Sequence, residues 1–170
     1  MRAEDLEQRV EFITNRQIYD KVICGAIPSA SLFVWLATSD LKDLYVGKGR
    51  KKMVPFLEII ADLLKKGVKV RLIHAKQPGP AFRTDFDRYP ELAEGLERLL
   101  CPRIHFKSVV VDGTFAYSGS ANLTGAGMGA KSDNRRNFEA GVAFNTLASN
   151  FTKSAQPSIL AIYYPFVFLR

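Results

Sequence analysis

The apolar residues of this chain occur both in short unbroken runs and in helical repeats. Residues 10–13 predict a short first strand. Residues 32–37 are an unbroken apolar run, which is typical of a strand covered on both faces. Thr14 and Gln17 have the spacing of a capping box, in which each side chain bonds to the other residue's backbone N–H, so a helix should begin there. The predicted apolar face of this helix consists of Ile18, Val22, Ile23, Ala26 and Ile27.

The central part of the chain predicts two further helices with a strand between them. Pro55 opens the first of these helices, Gly67 is placed to cap it, and residues 68–74 predict the strand. Pro90 begins the second helix and Pro102 should end it. Its inward-facing side chains would be Leu92, Leu96, Leu99 and Leu100.

A hairpin is predicted next along the chain. Residues 104–111 and 114–118 form its two strands, and Asp112-Gly113 is a dipeptide typical of tight turns. A loop of small residues and a last strand follow, at residues 119–131 and 138–144. Because strands and helices alternate, the sequence predicts an α/β fold with a mixed β-sheet sandwiched between helices. We expect one domain over residues 1–170.

Charge and cysteine content narrow the choice of partner and compartment. The chain has 24 Lys and Arg residues against 17 Asp and Glu residues, a net charge of +7, which favours a nucleic acid or an anionic lipid surface as partner. Cys24 and Cys101 are too few for a disulfide framework, and Cys24 lies among apolar helix positions, where we expect it in the core. The sequence shows no signal peptide and no apolar run long enough to span a membrane, so we expect a cytoplasmic protein.

One segment combines side chains that suit phosphate chemistry. His105 and Lys107 are two positions apart on a predicted strand, so both should project from one face. A neutral imidazole is a nucleophile near pH 7, and an ammonium group can hold phosphate oxygens. Ser120 and Asn122 follow the returning strand, which would bring a hydroxyl and an amide to the same end of the sheet. These four groups would surround a space of phosphoryl size.

This segment closely resembles the phospholipase D superfamily. The motif of that family, HxKxxxxD followed at a fixed distance by GSxN, is matched at every letter by residues 105–112 and 119–122. The α/β pattern of most of the chain is also similar to one half of that fold. The resemblance therefore implies a phospholipase D-like fold and a phosphodiesterase that needs no cofactor and no metal.

The resemblance also implies a role for each residue. His105 would attack phosphorus and form a phosphohistidine, while a second histidine protonates the leaving oxygen and later activates water. Lys107 and Asn122, assisted by Ser120, would stabilise the charged phosphoryl group. The family's downstream acidic residue, which holds the histidine ring, best matches Glu139.

Several of these residues also have a plainer interpretation. Asp112 is interpreted as a structural turn residue without a chemical role. Ser120 could cap the local backbone instead of binding phosphate, and Glu139 could be an ordinary surface carboxylate. A further group of basic residues is either solvated or flanks a phosphate channel for nucleic acid. It consists of Lys48, Arg50, Lys51, Lys52, Lys131, Arg135 and Arg136.

The implied chemistry needs two histidines, whereas the chain carries one motif. The other histidine, His74, lacks the motif's context. Short family members that resemble this chain form homodimers, so the resemblance implies a homodimer in which His105 of each subunit enters one site. The favoured function is a nuclease for DNA or RNA with little sequence preference. The alternatives are phospholipase D or phosphatidyltransferase activity on phospholipids, and a catalytically silent nucleic-acid-binding module.

Overall fold

The computed structural model describes residues 7–49 and 52–147. The strands are β1 (Glu7–Thr14), β2 (Phe33–Thr38), β3 (Leu41–Lys42), β4 (Tyr45–Lys48), β5 (Lys52–Pro55), β6 (Lys69–His74), β7 (Leu96–Leu100), β8 (Lys107–Val111), β9 (Phe115–Gly119), β10 (Leu123–Thr124) and β11 (Ala140–Leu147). The helices are α1 (Arg16–Ile18), which continues as a π-helix (Tyr19–Ala26) and a 3-10 turn (Ile27–Ser29), α2 (Phe56–Lys65), α3 (Pro80–Asp87) and α4 (Pro90–Gly95). In the described part of the chain, no helix is both long and apolar enough to cross a membrane.

Seven of the described strands form one mixed sheet, in the order β1-β11-β9-β8-β2-β6-β7. Strands β2, β6 and β7 are parallel to one another, whereas β8, β9, β11 and β1 each run antiparallel to their neighbours. Strand β2 is therefore central, with hydrogen bonds to β6 on one side and to β8 on the other. The predicted α/β class with a mixed sheet is confirmed.

The helices bury their apolar side chains against one face of this sheet. Val34 and Leu36 of β2 project to that face, where they join one buried cluster with Ile18 and Ile60 from the helices. Because successive strand residues point to opposite faces, Trp35 lies on the other face, where it is half-buried. The unbroken apolar run in β2 is thus covered less completely on its second face than the sequence predicts.

The first helix forms where the capping box predicts it. Gln17 Oε1 accepts the backbone N–H of Thr14 at 3.0 Å, which is one half of the predicted box. Val22 and Ile23 are buried as expected. Cys24 is exposed, so the prediction that it belongs to the core is wrong. The reason is that the buried face passes through the two preceding residues and Cys24 points away from it.

The third predicted helix is only half formed. Helix α4 ends at Gly95, and residues 96–100 form β7, which pairs in parallel with β6. Leu99 was predicted to face inward but is 46% exposed. The leucines have helical spacing, yet the open edge of β6 offers backbone hydrogen-bond partners that outweigh this local preference.

The structure also contains elements that the sequence pattern did not predict. Helix α3 follows the proline-rich break, and the hairpin of β4 and β5 surrounds the predicted basic loop at residues 48–52. Strands β8 and β11 begin later than predicted, at Lys107 and Ala140. His105 therefore precedes its strand instead of lying within it.

The turn between β8 and β9 has the tight geometry that its dipeptide predicts. Asp112 and Gly113 both have positive φ angles, of 54° and 71°. The backbone N–H of Thr114 donates to the carbonyl of Val111 at 3.1 Å and closes the turn. This left-handed backbone at both central residues is the conformation that Asp-Gly favours.

The Asp112 carboxylate links this turn to the beginning of β2. It accepts the backbone N–H groups of Ser31, Leu32 and Phe33, each at 2.8 Å, and the Ser31 hydroxyl at 2.9 Å. Burial raises the pKa of Asp112, but the hydrogen bonds from Phe33, Ser31 and Leu32 outweigh burial, and the net pKa lies below its ordinary value. The structural role predicted for Asp112 thus includes a contact with a distant strand.

Replacing Asp112 with Asn should lower the free energy of unfolding by about 2–3 kcal/mol at pH 7, because an amide offers one acceptor oxygen and turns an N–H group toward backbone donors. Asp43 is a matched control, since its φ angle is also 54° and its exposed carboxylate forms an ion pair with Lys131. Asp43→Asn should cost less than about 1 kcal/mol. Urea denaturation of both variants measures the difference.

The lowered pKa also sets the pH range of this stabilisation. The contribution is fully present above the pKa of an unfolded aspartate, about 3.9, and is lost as the pH falls through the lower pKa of the folded state. The gap between the wild type and Asp112→Asn should therefore shrink below about pH 4. Equal losses in the Asp43 and Asp112 variants, or a gap that does not change with pH, would contradict this assignment.

Candidate active site

The five predicted site residues lie along one side of the sheet. This edge is formed by the ends of successive strands and is not an outer strand. Strands β2, β6 and β9 end at this edge, whereas β8 and β11 begin there, as their pairing directions require. The register places Lys107 opposite Gly119, and Gly119 opposite Gly141. The end of β9 therefore brings Ser120 and Asn122 back toward the beginning of β8, and the beginning of β11 places Glu139 beside them.

His105 and Lys107 are in contact, as predicted, but through a different geometry. Lys107 is only 7% exposed, and its Nζ donates to the backbone carbonyl of His105 at 2.5 Å. The same Nζ lies 3.5 Å from Nδ1 of the His105 ring. His105 itself is exposed and precedes β8. The lysine folds back toward the histidine, so the two side chains do not stand side by side on one strand face.

Asn122 is held by the loop that follows β2. Its Oδ1 accepts the backbone N–H groups of Ser39 at 3.1 Å and Asp40 at 3.2 Å. The Thr38 hydroxyl donates to the Asp40 carbonyl at 2.7 Å and accepts the backbone N–H of Leu123 at 3.0 Å, which fixes both loops. Because Oδ1 faces these donors, Nδ2 is directed away from them, as donation to an anion requires. The sequence feature that could have indicated this loop is Thr38-Ser39-Asp40, because such residues after a buried strand often bond to nearby backbone groups.

Ser120 and Glu139 are brought together by β9 and β11. The Ser120 hydroxyl donates to the Glu139 carboxylate, and its oxygen accepts the backbone N–H of Ala140 at 3.1 Å. The local backbone role considered for Ser120 is therefore present. Asn137 Nδ2 donates to the other oxygen of Glu139 at 3.0 Å. Within residues 7–49 and 52–147, the hydrogen-bond donors to the Glu139 carboxylate are Ser120 and Asn137. That Glu139 orients the His105 ring therefore stays a prediction.

A buried tyrosine underlies this edge of the sheet. Tyr117 of β9 is fully buried. Its side chain packs over Gly119 of β9 and Gly141 of β11, which are paired in the sheet. A Cβ atom at Gly119 or at Gly141 would collide with this ring. The glycine of the GSxN sequence, Gly119, therefore makes room for Tyr117. Burial raises the pKa of Tyr117 to about 12, so the phenol is neutral at physiological pH.

His74, the second histidine of the chain, lies at the end of β6 and is 1% exposed. Its Nδ1 donates to the backbone carbonyl of Lys76 at 2.9 Å, and burial lowers its pKa, which favours the neutral ring. A substrate at the sheet edge cannot reach this imidazole. Among the residues that the structure describes, no three His, Cys, Asp or Glu side chains are grouped closely enough to hold a metal ion.

Three of the basic residues predicted to bind nucleic acid form ion pairs within the chain, which reduces the charge that they offer to a polyanion. These pairs are Lys48 with Glu58 and Asp62, Lys131 with Asp43, and Arg136 with Asp133. Lys52 and Arg135 are exposed, and Arg135 Nε donates to Ser132 Oγ at 3.1 Å. Arg50 and Lys51 lie outside the described residues. The phosphate channel therefore remains a prediction.

Comparison with known proteins identifies the family of the chain. A family model described as "Cardiolipin synthase, PLD-like domain" matches residues 23–156, which is most of the chain and includes the whole motif. The chain belongs to this PLD-like family. The resemblance to the phospholipase D superfamily seen in the motif is thereby confirmed. No curated protein sequence matches the chain significantly.

Solved structures of PLD-like proteins share the fold. Nuc from Salmonella typhimurium, a phospholipase D family member, is 19% identical with a TM-score of 0.59, over 82% of this chain and 84% of that chain. NucT from Helicobacter pylori is 16% identical with a TM-score of 0.60, over 82% of this chain and 86% of that chain. Phosphatidylserine synthase from Haemophilus influenzae Rd KW20 is 16% identical with a TM-score of 0.56, over 82% of this chain and 35% of that chain. The phospholipase D-like fold is confirmed.

The orientation of Asn122 allows its structural and chemical roles to be separated. Asn122→Asp keeps an oxygen for Ser39 and Asp40 but replaces the amide donor with a second oxygen. We expect this variant to unfold at a temperature close to that of the wild type, while phosphodiester hydrolysis falls by about 100- to 1,000-fold. Asn122→Ala should lose activity similarly and also unfold at a lower temperature. Hydrolysis of bis(p-nitrophenyl) phosphate and thermal unfolding measure both effects, and full activity in Asn122→Asp would refute the orientation.

Proposed function

We propose that this protein is a nuclease that hydrolyses phosphodiester bonds of DNA or RNA through a phosphohistidine intermediate. The observation that carries the proposal is the contact of an accessible imidazole, His105, with the nearly buried ammonium group of Lys107 at an open edge of the sheet. Asn122 is oriented with its amide donor directed away from the adjoining loop. A nucleophile, a cation and a neutral donor at the ends of neighbouring strands support the proposal that a phosphate binds there.

The proposed reaction has two displacements at phosphorus. The His105 ring attacks phosphorus, so a P–N bond forms as the P–O bond to the leaving group breaks. A second histidine donates a proton to the leaving oxygen and then removes one from water. That water breaks the P–N bond and regenerates His105. Lys107 and Asn122 stabilise the negative charge on the phosphoryl oxygens in both steps.

The charge of the chain favours nucleic acid as the substrate. The net charge is +7, and Lys52 and Arg135 remain exposed on the side of the molecule where β4, β5 and the loop after β10 lie. A positive surface attracts a polyanion irrespective of base sequence, which supports a nuclease with little sequence preference. The ion pairs of Lys48, Lys131 and Arg136 reduce this surface but leave the net charge unchanged.

Two variants test the chemistry against a matched lysine. His105→Ala should reduce the cleavage of DNA and RNA by at least about 1,000-fold, because the nucleophile is lost. Lys107→Ala should reduce it by about 100- to 1,000-fold. Lys69, which begins β6 at the opposite edge of the sheet and is exposed, is the control, and Lys69→Ala should leave the rate unchanged. Cleavage of labelled single-stranded DNA, double-stranded DNA and RNA in EDTA is the measurement.

Three results of that assay would overturn parts of the proposal. Full activity in His105→Ala would remove the phosphohistidine. Loss of wild-type activity in EDTA would contradict a reaction without metal. Failure to cleave any diester, together with tight and salt-sensitive binding of DNA, would favour a silent binding module.

Phospholipids are the second candidate substrate class. The description of the family model and the fold shared with a phosphatidylserine synthase favour this alternative. The same residues would then perform the same displacement on a headgroup ester. Vesicles of phosphatidylcholine and of cardiolipin, assayed beside the nucleic acids, distinguish the two classes. Turnover of lipid without cleavage of DNA or RNA would replace the nuclease proposal.

The second histidine of the reaction is proposed to come from a second copy of the chain. The chain has two histidines, and His74 is buried and bonded to the backbone, so it is not accessible to the substrate. His105 is exposed at the open edge. A two-fold dimer that joins two such edges places both His105 rings on opposite sides of one phosphate. In this proposal, Glu139 of one of the two subunits orients each ring.

A dilution experiment tests this shared site. The wild type is co-expressed with increasing amounts of His105→Ala, and total protein is held constant. If each site needs His105 from both subunits, activity should fall as the square of the wild-type fraction, whereas independent subunits give a linear fall. Sedimentation at micromolar concentration should show a dimer. A linear fall or a monomer would contradict the proposal.

A further inference from the structure

A groove opens beside the candidate active site, between the hairpin of β4 and β5 and the loop that follows β10. Its volume is about 310 Å³. That volume is near the lower end for ligand pockets, about 300–1,000 Å³, and suits one group of nucleoside size. The side chains that define it are Asp43, Tyr45, Met53, Lys131 and Arg135.

One wall of the groove exposes two large apolar side chains that the core does not use. In the hairpin, Val46 and Val54 face inward and are buried, so the alternating residues face outward. Tyr45 is 41% exposed and Met53 is 57% exposed. The position paired with Met53 is Gly47, which adds no side chain to cover it. The aromatic ring of Tyr45 and the thioether of Met53 are therefore exposed at the groove.

The opposite wall supplies positive charge. Arg135 is exposed, and the bond from its Nε to Ser132 Oγ holds the guanidinium group at the wall. Lys131 forms an ion pair with Asp43 across the groove. Gly125 allows the wall to approach this closely, because a Cβ there would collide with the backbone carbonyl of Asp43.

The groove is joined to the proposed phosphate site by a short piece of chain. Asn122 is followed by β10, which pairs in parallel with β3, and Gly125 comes next. The chain from Asn122 to Gly125 therefore spans at most about 10 Å, the length of three extended residues. The backbone N–H of Gly125 donates to the carbonyl of Lys42 at 3.3 Å, so the two walls are fixed to the loop that holds Asn122. A chain of nucleotides crossing the site can place a neighbouring residue in the groove.

We propose that this groove binds the unpaired base of a nucleotide next to the scissile phosphate, with Tyr45 as the stacking surface and Met53 beside it. The inference rests on the proposed function and names its substrate class, single-stranded nucleic acid. Aromatic rings bind bases of any sequence by stacking, and a guanidinium group or a thioether adds to that contact. A base in a duplex is stacked between its neighbours and cannot enter such a groove without unpairing.

Binding measurements test the groove independently of turnover. A fluorescein-labelled short oligothymidylate is titrated, by fluorescence anisotropy, into His105→Ala protein, which cannot cleave it. A second substitution in this protein, Tyr45→Ala, should raise the Kd by about 10-fold, which is the loss of affinity expected for one stacked base. Met53→Ala should weaken it by about 3-fold. Tyr45→Phe should keep the affinity, because the ring remains.

Two controls separate stacking from other effects. Leu99→Ala removes a side chain of similar exposure at the far strand of the sheet, β7, and should leave the Kd unchanged. An oligonucleotide with abasic residues should bind Tyr45→Ala and the parent protein equally, since it has no base to stack. Tyr45→Ala carries no change in charge, so the salt dependence of the Kd should also be unchanged. Each variant's unfolding temperature reports whether the fold is retained.

The outcomes distinguish this proposal from the nuclease proposal. If the wild type cleaves DNA but Tyr45→Ala binds like Leu99→Ala, the groove proposal is overturned and the nuclease stands. If nothing is cleaved but Tyr45→Ala still weakens oligonucleotide binding, the groove stands without the chemistry. If Tyr45→Ala and Met53→Ala instead weaken binding to cardiolipin vesicles and leave the oligonucleotide Kd unchanged, the groove belongs to a lipid and the proposal is overturned.

Discussion

The register between β2 and β8 is the constraint on which the site depends, and Asp112 sets it. Its carboxylate accepts three consecutive backbone N–H groups at the beginning of β2, and its own N–H donates to the Phe33 carbonyl at 3.0 Å. A slip of one residue would move Lys107 to the other face of the sheet. The last residue of the HxKxxxxD motif thus helps to position Lys107 from the far end of β8, by holding the register of β8 against β2.

The residues at the opposite end of β8 and β9 are positioned by parts of the fold outside the motif. Asn122 takes its orientation from two N–H groups that follow β2, and Ser120 is bonded to the beginning of β11. The site is therefore a junction of strand ends. Antiparallel β8 begins where parallel β2 ends, so loops from distant parts of the chain meet there.

The sequence predicted those features that local chemistry determines. Asp112-Gly113 favours a tight turn through its own backbone preference, and residues 105–122 carry their motif in a continuous stretch. Features that depend on distant partners were not predictable. Leu99 has helical spacing but lies in an edge strand, because β6 had an open edge. The carboxylate partners of Lys48 come from α2, so an apparently free basic loop is partly neutralised.

The environment of Lys107 explains why this edge of the sheet suits an anion. The lysine is almost fully buried, and in the described residues its hydrogen-bond partners are the carbonyl and the ring of His105, both without negative charge. Withdrawing an ammonium group from water without a counterion costs free energy that the rest of the fold must offset. A phosphoryl group would supply the missing negative charge without any need to break an existing ion pair. That cost is met when the chain folds, so Lys107 is already in place for the phosphate that the proposed reaction requires.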